Sequence, residues 1–289
     1  MSPEKATAVS VPDLKINRGM SEKNPYVPVK AKVLEFFRES PDNFSIIIDF
    51  KTKHAPGQFV MVGLPGIGEA PISICSYSSE HMKLNIREVG SVTNSLAKVK
   101  EGDFVFVRGP YGTGYPMKSL KGNNIIMIGG GCGVAPLKGV IDYLSVNRKK
   151  YKDIDLLFGY RSVHDILFKR EIETWRKHYN TMISIDKADG ADKNVCYDAK
   201  VGFATEHLKS SDVPVEKSVV FICGPPKMME LVTGILKEKG FKSEQIFVST
   251  ERLMQCALGK CGHCMIKGKY TCVDGPVFRL DEVEKFKND

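Results

Sequence analysis

The sequence predicts three modules in series: an antiparallel β-barrel or sandwich, a doubly wound α/β domain on a parallel sheet, and a small cysteine-bearing C-terminal module. Three observations predict this. Short alternating apolar runs, separated by Gly, Pro and polar clusters, fill the first part of the chain. After Gly122 the rhythm becomes strand, Gly-rich turn, helix, repeated along the chain, which is the pattern of a parallel sheet with helices on both faces. Near the C-terminus, Cys256, Cys261, Cys264 and Cys272 follow the spacing C-x4-C-x2-C-x7-C.

Residues 1–28 are polar, contain three prolines up to position 25 and a fourth at 28, and read as an extension. Residues 29–120 carry the barrel strands: Val29–Phe36, Phe44–Phe50, Gln58–Leu64, Lys83–Val89 and Phe104–Arg108. Each alternates or runs apolar over a strand's length. Residues 121–250 carry the α/β pattern. Strands are expected at Asn124–Ile128, Ile154–Tyr160, Thr181–Asp186, Ser218–Cys223 and Gln245–Val248, and helices at Leu137–Asn147, Lys169–His178 and Lys227–Lys239. Residues 251–289 form the cluster module and tail.

The chain of 289 residues is 42% hydrophobic and 26% charged, ordinary globular values. Its net charge of +8 includes a basic stretch at Arg148–Lys152, read first as a solvated surface. No nucleic-acid-binding motif accompanies it. Residues 1–28 lack the apolar core of a signal peptide, and no segment approaches the roughly 20 apolar residues of a membrane span. A cytoplasmic protein is expected, with its eight cysteines reduced, metal-bound or catalytic rather than paired in disulfides.

The cysteine spacing is the most specific signal. Its first three positions reproduce the plant-type arrangement in which four thiolates hold a [2Fe-2S] cluster. A structural zinc site is the competitor, but such sites usually pair two C-x2-C units and only one is present. His263 lies within the loop and reads as an exposed bystander. The second signal is Gly129-Gly130-Gly131-Cys132-Gly133-Val134-Ala135-Pro136, between an apolar strand and a helix. Glycines there let backbone N–H groups approach a pyrophosphate at a helix start. The third, Cys223-Gly224-Pro225-Pro226, is again a strand end before a helix. In a doubly wound sheet both turns lie at the carboxyl edge, where dinucleotides bind. Cys75, Cys132 and Cys196 fit no ligand spacing and read as packed or idle.

These turns resemble the NAD(P)-binding half of the ferredoxin–NADP reductase superfamily, and the first half resembles its flavin-binding barrel. Pro71-Ile72-Ser73-Ile74 is similar to the flavin-facing segment, and Gly90-Ser91-Val92-Thr93 to the turn that holds the flavin pyrophosphate. Gly109-Pro110-Tyr111-Gly112 resembles the barrel's closing turn. Within the superfamily, Gly68–Ser73, Gly112–Pro116, Glu251–Met254 and Asp274–Phe278 look like the branch that holds the electron-transfer subunit of anaerobic sulfite reductases and the gamma subunits of sulfhydrogenases. The likeness spans residues 29–289.

The resemblance implies FAD, NAD(H) or NADP(H) as substrate, and catalytic positions at Ser73, Cys223 and Glu251 beside flavin and nicotinamide. By themselves, Cys223 reads as a small buried strand residue and Glu251 as a surface charge. Ala70 replaces the superfamily's flavin-phosphate Arg, so Arg87 or the amides of Gly90–Thr93 are expected to take the phosphates, and FMN stays open beside FAD. Asp186 falls where the ribose is held, a weak argument for NADH. The implied activity is hydride transfer from NAD(P)H to flavin, then one-electron transfer through the cluster to a partner. That partner is a siroheme sulfite reductase or a nickel–iron hydrogenase, each with an iron–sulfur subunit. Sulfite reduction is the first expectation. The alternatives are a hydrogenase gamma subunit, the electron-transfer subunit of dihydroorotate dehydrogenase, and a zinc-stabilised assembly module.

Overall fold

The computed structural model describes residues 24–187, 198–266 and 268–284. Most of the N-terminal extension, and Cys196, lie outside them.

Six strands form the first sheet: β1 (Val29–Ser40), β2 (Asn43–Ile48), β3 (Phe59–Leu64), β4 (Gly68–Ser73), β5 (Met82–Arg87) and β6 (Phe104–Tyr111). Their order is β4-β3-β6-β1-β2-β5, and every pair is antiparallel. The edge strands meet through an Ile74↔Leu84 bridge and the Cys75 N–H donating to the Lys83 carbonyl at 3.0 Å. That contact closes the sheet into a barrel and removes its exposed edges. Alternation points Phe44, Ile46, Ile48, Val60, Val62, Leu84 and Ile86 inward. Each such side chain contributes about 1.5–3 kcal/mol on burial. The short helix α1 (Ser91–Leu96) stands where the sequence pattern suggests a turn, with Leu96 inserted into the barrel core.

The second sheet begins with β7 (Asn124–Gly130), followed by α2 (Val134–Asn147), β8 (Ile154–Tyr160), α3 (Lys169–His178) and β9 (Asn180–Ile185). It continues with β10 (Lys200–Val201), α4 (Ala204–Ser210), β11 (Ser218–Cys223), α5 (Pro226–Glu238) and β12 (Ile246–Ser249). The cluster loop contributes β13 (Met265–Ile266) and β14 (Lys269–Tyr270), before β15 (Val277–Arg279) and α6 (Leu280–Glu284). The large sheet runs β10-β9-β8-β7-β11-β12-β15. Its pairs are parallel except that β15 returns antiparallel to β12. The sheet is therefore mixed, with its C-terminal edge made by the tail. Helices α2 and α3 cover one face through Leu137, Val140, Ile172 and Trp175. Helices α4 and α5 cover the other through Leu208, Val232 and Leu236.

Strand order reverses between β7 and β11, because β7 leads outward to β8 while β11 lies on its opposite side. Loops at the carboxyl ends of those two strands diverge and leave a crevice. The barrel is fixed against this domain by polar contacts. Glu39 on β1 accepts from the Phe168 N–H at 3.0 Å, at the start of α3, and Lys83 on β5 donates to Glu171 at 2.8 Å. Helix α2 lies so close to the barrel that a Cβ at Gly139 would come within 2.9 Å of the Ile74 carbonyl.

Candidate functional site

Two cavities meet at the crevice. The first, of about 460 Å³, is walled by Gly130, Gly131 and Cys132 at the end of β7, Tyr160 and Arg161 at the end of β8, Asp186 after β9, and Pro225, Lys227 and Met228 after β11. Asp42 and Asn43 close it from the barrel side. Gly133 is essential to this shape. Its backbone lies against β11, and a Cβ would sit 2.4 Å from the Cys223 carbonyl oxygen. Gly129 and Gly224 are packing positions: a Cβ at Gly129 would meet Val134 at 2.8 Å, and one at Gly224 would meet Met228 at 2.8 Å.

The second cavity, of about 370 Å³, lies between the barrel and the α/β domain. Ala70, Pro71, Ile72 and Ser73 of β4 form one side, and Ala135 and Pro136 of α2 another. Cys223, Glu251, Thr93 and Arg87 complete the wall. All three expected catalytic positions are therefore brought together. Gly90, Ser91 and Val92 stand on the neighbouring turn, outside the wall, where Thr93 Oγ1 accepts from the N–H groups of Val89 and Gly90 at 3.0 and 3.1 Å. Ile74 is buried in the barrel core instead.

Arg87 and Cys132 line both cavities and form their shared partition. Arg87 also pairs with Asp42 at 3.1 Å. Sequence alone reads Cys132 as packed or idle; its place in this partition is invisible without the fold. Burial raises the Glu251 carboxyl above the usual carboxylate range, and Arg87 opposes that rise. Burial likewise raises the Cys223 and Cys132 thiols, with Glu251 adding to both. In each wall one buried asparagine leaves its side-chain carbonyl oxygen without a protein partner: Asn43 in the first, Asn85 in the second. Those acceptors fit ligands that bring N–H or O–H donors.

The cysteine loop packs on the outside of the barrel. Cys264 and Cys272 are buried with Met254, Ala257, Phe59 and Met61; Cys256 is half-buried and Cys261 exposed. The thiols fall in two neighbouring pairs, Cys256 with Cys261 and Cys264 with Cys272. Backbone N–H groups of Leu258, Lys260 and Cys261 point at the Cys256 sulfur at 3.4 Å each, and that of Gly259 at the Cys272 sulfur at 3.2 Å. Backbone N–H donors lower the exposed Cys261 thiol to about 7, while burial pushes Cys272 up to about 12. Among the described residues no three His, Cys, Asp or Glu side chains meet around one point as a single metal ion requires. Two pairs of soft donors with amide hydrogen bonds to sulfur fit an iron–sulfur cluster, which is ligated by thiolates and tuned by such bonds. His263 is exposed and stands outside this set.

Sequence reasoning misses several wall residues. Asn85, Arg252 and Met254 join the second cavity, and Asp42, Phe203 and Lys227 the first. Asp42, Asn85 and Phe203 carry no local motif, whereas Arg252 and Met254 lie in the Glu251–Met254 segment and Lys227 follows the Cys223–Pro226 turn, where nothing local marks them as wall residues.

Among the described residues no helix is long and apolar enough to cross a membrane. Residues 127–234 match the oxidoreductase NAD-binding domain family, and residues 251–284 match the iron–sulfur cluster binding domain of dihydroorotate dehydrogenase B. Sulfhydrogenase 2 subunit gamma of Pyrococcus furiosus is 37% identical, over 88% of this chain and 96% of its own. Sulfhydrogenase 1 subunit gamma of the same organism is 36% identical, over 91% and 94%. A probable dihydroorotate dehydrogenase B electron transfer subunit from Methanocaldococcus jannaschii is 31% identical, over 91% and 96%. Among solved structures, an NADH-dependent reduced ferredoxin–NADP oxidoreductase aligns with a TM-score of 0.70 at 24% identity, over 88% of this chain and 91% of that one. A Neisseria gonorrhoeae ferredoxin NADP+ reductase aligns at 0.64 and 17%, over 76% and 97%. These two likenesses show the fold, a ferredoxin–NADP reductase-like one. With NAD-binding and iron–sulfur domains in one chain and full-length relatives of this kind, the protein belongs to the family of electron-transfer subunits that includes the sulfhydrogenase gamma subunits and the electron transfer subunits of dihydroorotate dehydrogenase B.

Proposed function

We propose that the chain binds NADH in the first cavity and a flavin, FAD, in the second, holds a [2Fe-2S] cluster on Cys256, Cys261, Cys264 and Cys272, and passes electrons between the dinucleotide and a partner subunit. One observation carries this reading. Phe59 and Met254 belong both to the wall of the second cavity and to the apolar cluster around Cys264 and Cys272. A single layer of side chains thus separates the cavity from two cluster thiols, while on its other side Arg87 and Cys132, among the described residues, partition it from the first cavity.

When bound, a flavin accepts a hydride from a nicotinamide and releases electrons singly, as an iron–sulfur cluster needs. The chain's own residues position these groups. Pro71 to Ser73 form the flavin-side strand, and Asn85 supplies an unpartnered acceptor. Arg87 and Arg252 are the cations of that wall among the described residues. They replace the absent Arg at Ala70 for the flavin phosphates, through charge-assisted hydrogen bonds. Glu251 and Cys223 close the nicotinamide end of the same cavity. Four thiolates require a reducing compartment, which favours the cytoplasm.

The partner is a catalytic subunit of a hydrogenase-type complex with its iron–sulfur subunit. The names of two relatives that match nearly end to end support this. Sulfite reduction, the first expectation from the sequence, is carried by none of the relatives named above. The test is anaerobic purification with flavin, iron, sulfide and zinc analysis, then titration with NADH under visible and paramagnetic resonance spectroscopy. NADH is expected to bleach the flavin band and then produce a one-electron cluster signal. A colourless, zinc-loaded protein overturns the reading. Copurification with a siroheme protein or with a dihydroorotate dehydrogenase reassigns the partner alone.

A further inference from the structure

We infer that Arg108, with Glu69, positions the iron–sulfur loop against the flavin-side strand and sets how readily the cluster takes an electron. The inference rests on the reading above, that Cys256 to Cys272 hold a cluster supplied from the second cavity. Arg108 lies on β6 with a side chain only 5% exposed. A guanidinium has five N–H donors in one rigid plane, and here every one is used. Nε donates to the Glu69 carboxylate at 2.8 Å, and one Nη2 donor goes to the same carboxylate. The other Nη2 donor reaches the Gln255 carbonyl at 2.9 Å. The Nη1 donors reach the Cys256 carbonyl at 2.7 Å and the Tyr111 hydroxyl at 3.2 Å.

The consequence is geometric first. Glu69 sits on β4, next to the Ala70–Ser73 segment that walls the cavity. Cys256 is the first cluster ligand. One planar group therefore ties the flavin-side strand to the ligand's backbone and fixes their separation. A lysine keeps the charge but cannot reproduce five directed donors.

The second consequence is electrostatic. A cluster held by four thiolates is negative and becomes more so on reduction. A cation held in a poorly solvated site against the first ligand stabilises the reduced state. The Glu69 carboxylate, on the far side of the guanidinium, works against it. Removing each charge must then move the cluster potential in opposite directions.

The experiment is an anaerobic redox titration of the full-length protein, followed by the cluster's paramagnetic signal, with iron and flavin contents measured in parallel. Arg108→Gln is expected to shift the cluster potential downward and Glu69→Gln upward, with the flavin potential unmoved. Arg108→Lys is expected to stay nearer the native potential than Arg108→Gln, yet to pass electrons from reduced flavin to cluster at least about tenfold more slowly in single turnover, about 1.4 kcal/mol in the barrier. Absence of a one-electron cluster signal in the native protein defeats the underlying reading. A normal native signal, with Glu69→Gln at or below the native potential, defeats this inference alone. That holds even where Arg108→Gln fails to fold, since Glu69 is partly exposed at 36% and its replacement leaves the guanidinium's contacts to the loop in place.

Discussion

The Gly129–Pro136 turn and the Cys256–Cys272 loop, proposed above to hold the dinucleotide and the cluster, are held in opposite ways. The turn grows from β7, whose seven residues are all buried, and leads into α2 on a fully covered sheet face. Its form is set by what is absent: side chains that would strike β11. Among its described residues the loop has only the two-residue strands β13 and β14 of its own. Its form depends on thiols, a few apolar contacts to the barrel and the Arg108 donors. A packed scaffold transmits a local change into the fold, whereas a ligand-held loop fails by itself. Substitutions at the two places should therefore fail differently.

The largest effect is expected from Cys264→Ser. Cys264 is buried against the barrel and pairs with Cys272. Its loss should remove the cluster and reduce electron delivery to the partner to background. NADH oxidation with an acceptor that takes electrons directly from flavin should persist, because both cavities are built without the Cys264 thiol. Assaying the two activities side by side on flavin-loaded protein checks this. Equal loss of both breaks the contrast, because it means the loop supports the fold as the turn does.

Gly133→Ala should do the reverse. Gly133 has ordinary helical φ of −63°, so backbone strain is not at issue. The obstruction is the Cys223 carbonyl 2.4 Å from the new Cβ, with the Gly224 Cα at 2.6 Å. Backbone atoms cannot rotate away, and overpacking of this kind costs about 1–3 kcal/mol. Thermal unfolding should begin several degrees lower, and KM for NADH should rise while iron content stays native. An unchanged Tm with a lost cluster contradicts the assignment of the turn to the dinucleotide.

The same contrast explains what is legible in the sequence. Alternation marks β1, β2 and β5, and apolar runs mark β3, β6, β7, β8 and β11, because each strand's own residues carry its burial. Strand β4, Gly-Glu-Ala-Pro-Ile-Ser, has a Gly, a Pro and no alternation; it exists because β3 pairs with it from Phe59↔Ser73 to Leu64↔Gly68. Ligand spacing and glycine turns are local patterns, so the cysteines and the Gly129–Gly133 turn can be read directly. Arg108 cannot. Its partners Gln255 and Cys256 lie 147 and 148 positions away, and on its strand it looks like any polar end residue. Cys132, likewise, becomes a partition between cavities only once the turn after β7 meets β5 in space.

The smallest effect concerns the choice of dinucleotide, which belongs to the rigid side of the comparison. Asp186 follows β9, where its N–H donates to the Tyr160 carbonyl at 2.9 Å and fixes its backbone in the wall of the first cavity. A carboxylate there accepts from ribose hydroxyls and repels a 2′-phosphate. Of the nearby cations, Arg161 is engaged by Asp165 at 2.8 Å and Lys227 by Glu230 at 3.2 Å, while the exposed Lys187 acts directly on the Asp186 carboxyl. Asp42 and Asp165 add two further acids to the same wall. NADH should therefore have the higher kcat/KM, and Asp186→Ser should move the NADH/NADPH ratio about tenfold toward NADPH, about 1.4 kcal/mol of differential transition-state binding. The pH dependence has a definite sign. Burial first, and Asp165 second, raise the Asp186 carboxyl above the ordinary aspartate value, against Arg161 and Lys187. As pH falls through that raised value the carboxyl takes a proton, so the preference for NADH should decline on acidification in the native protein and show less decline in Asp186→Ser. A native preference for NADPH, or a ratio unmoved by the substitution, means that Asp186 does not select the dinucleotide.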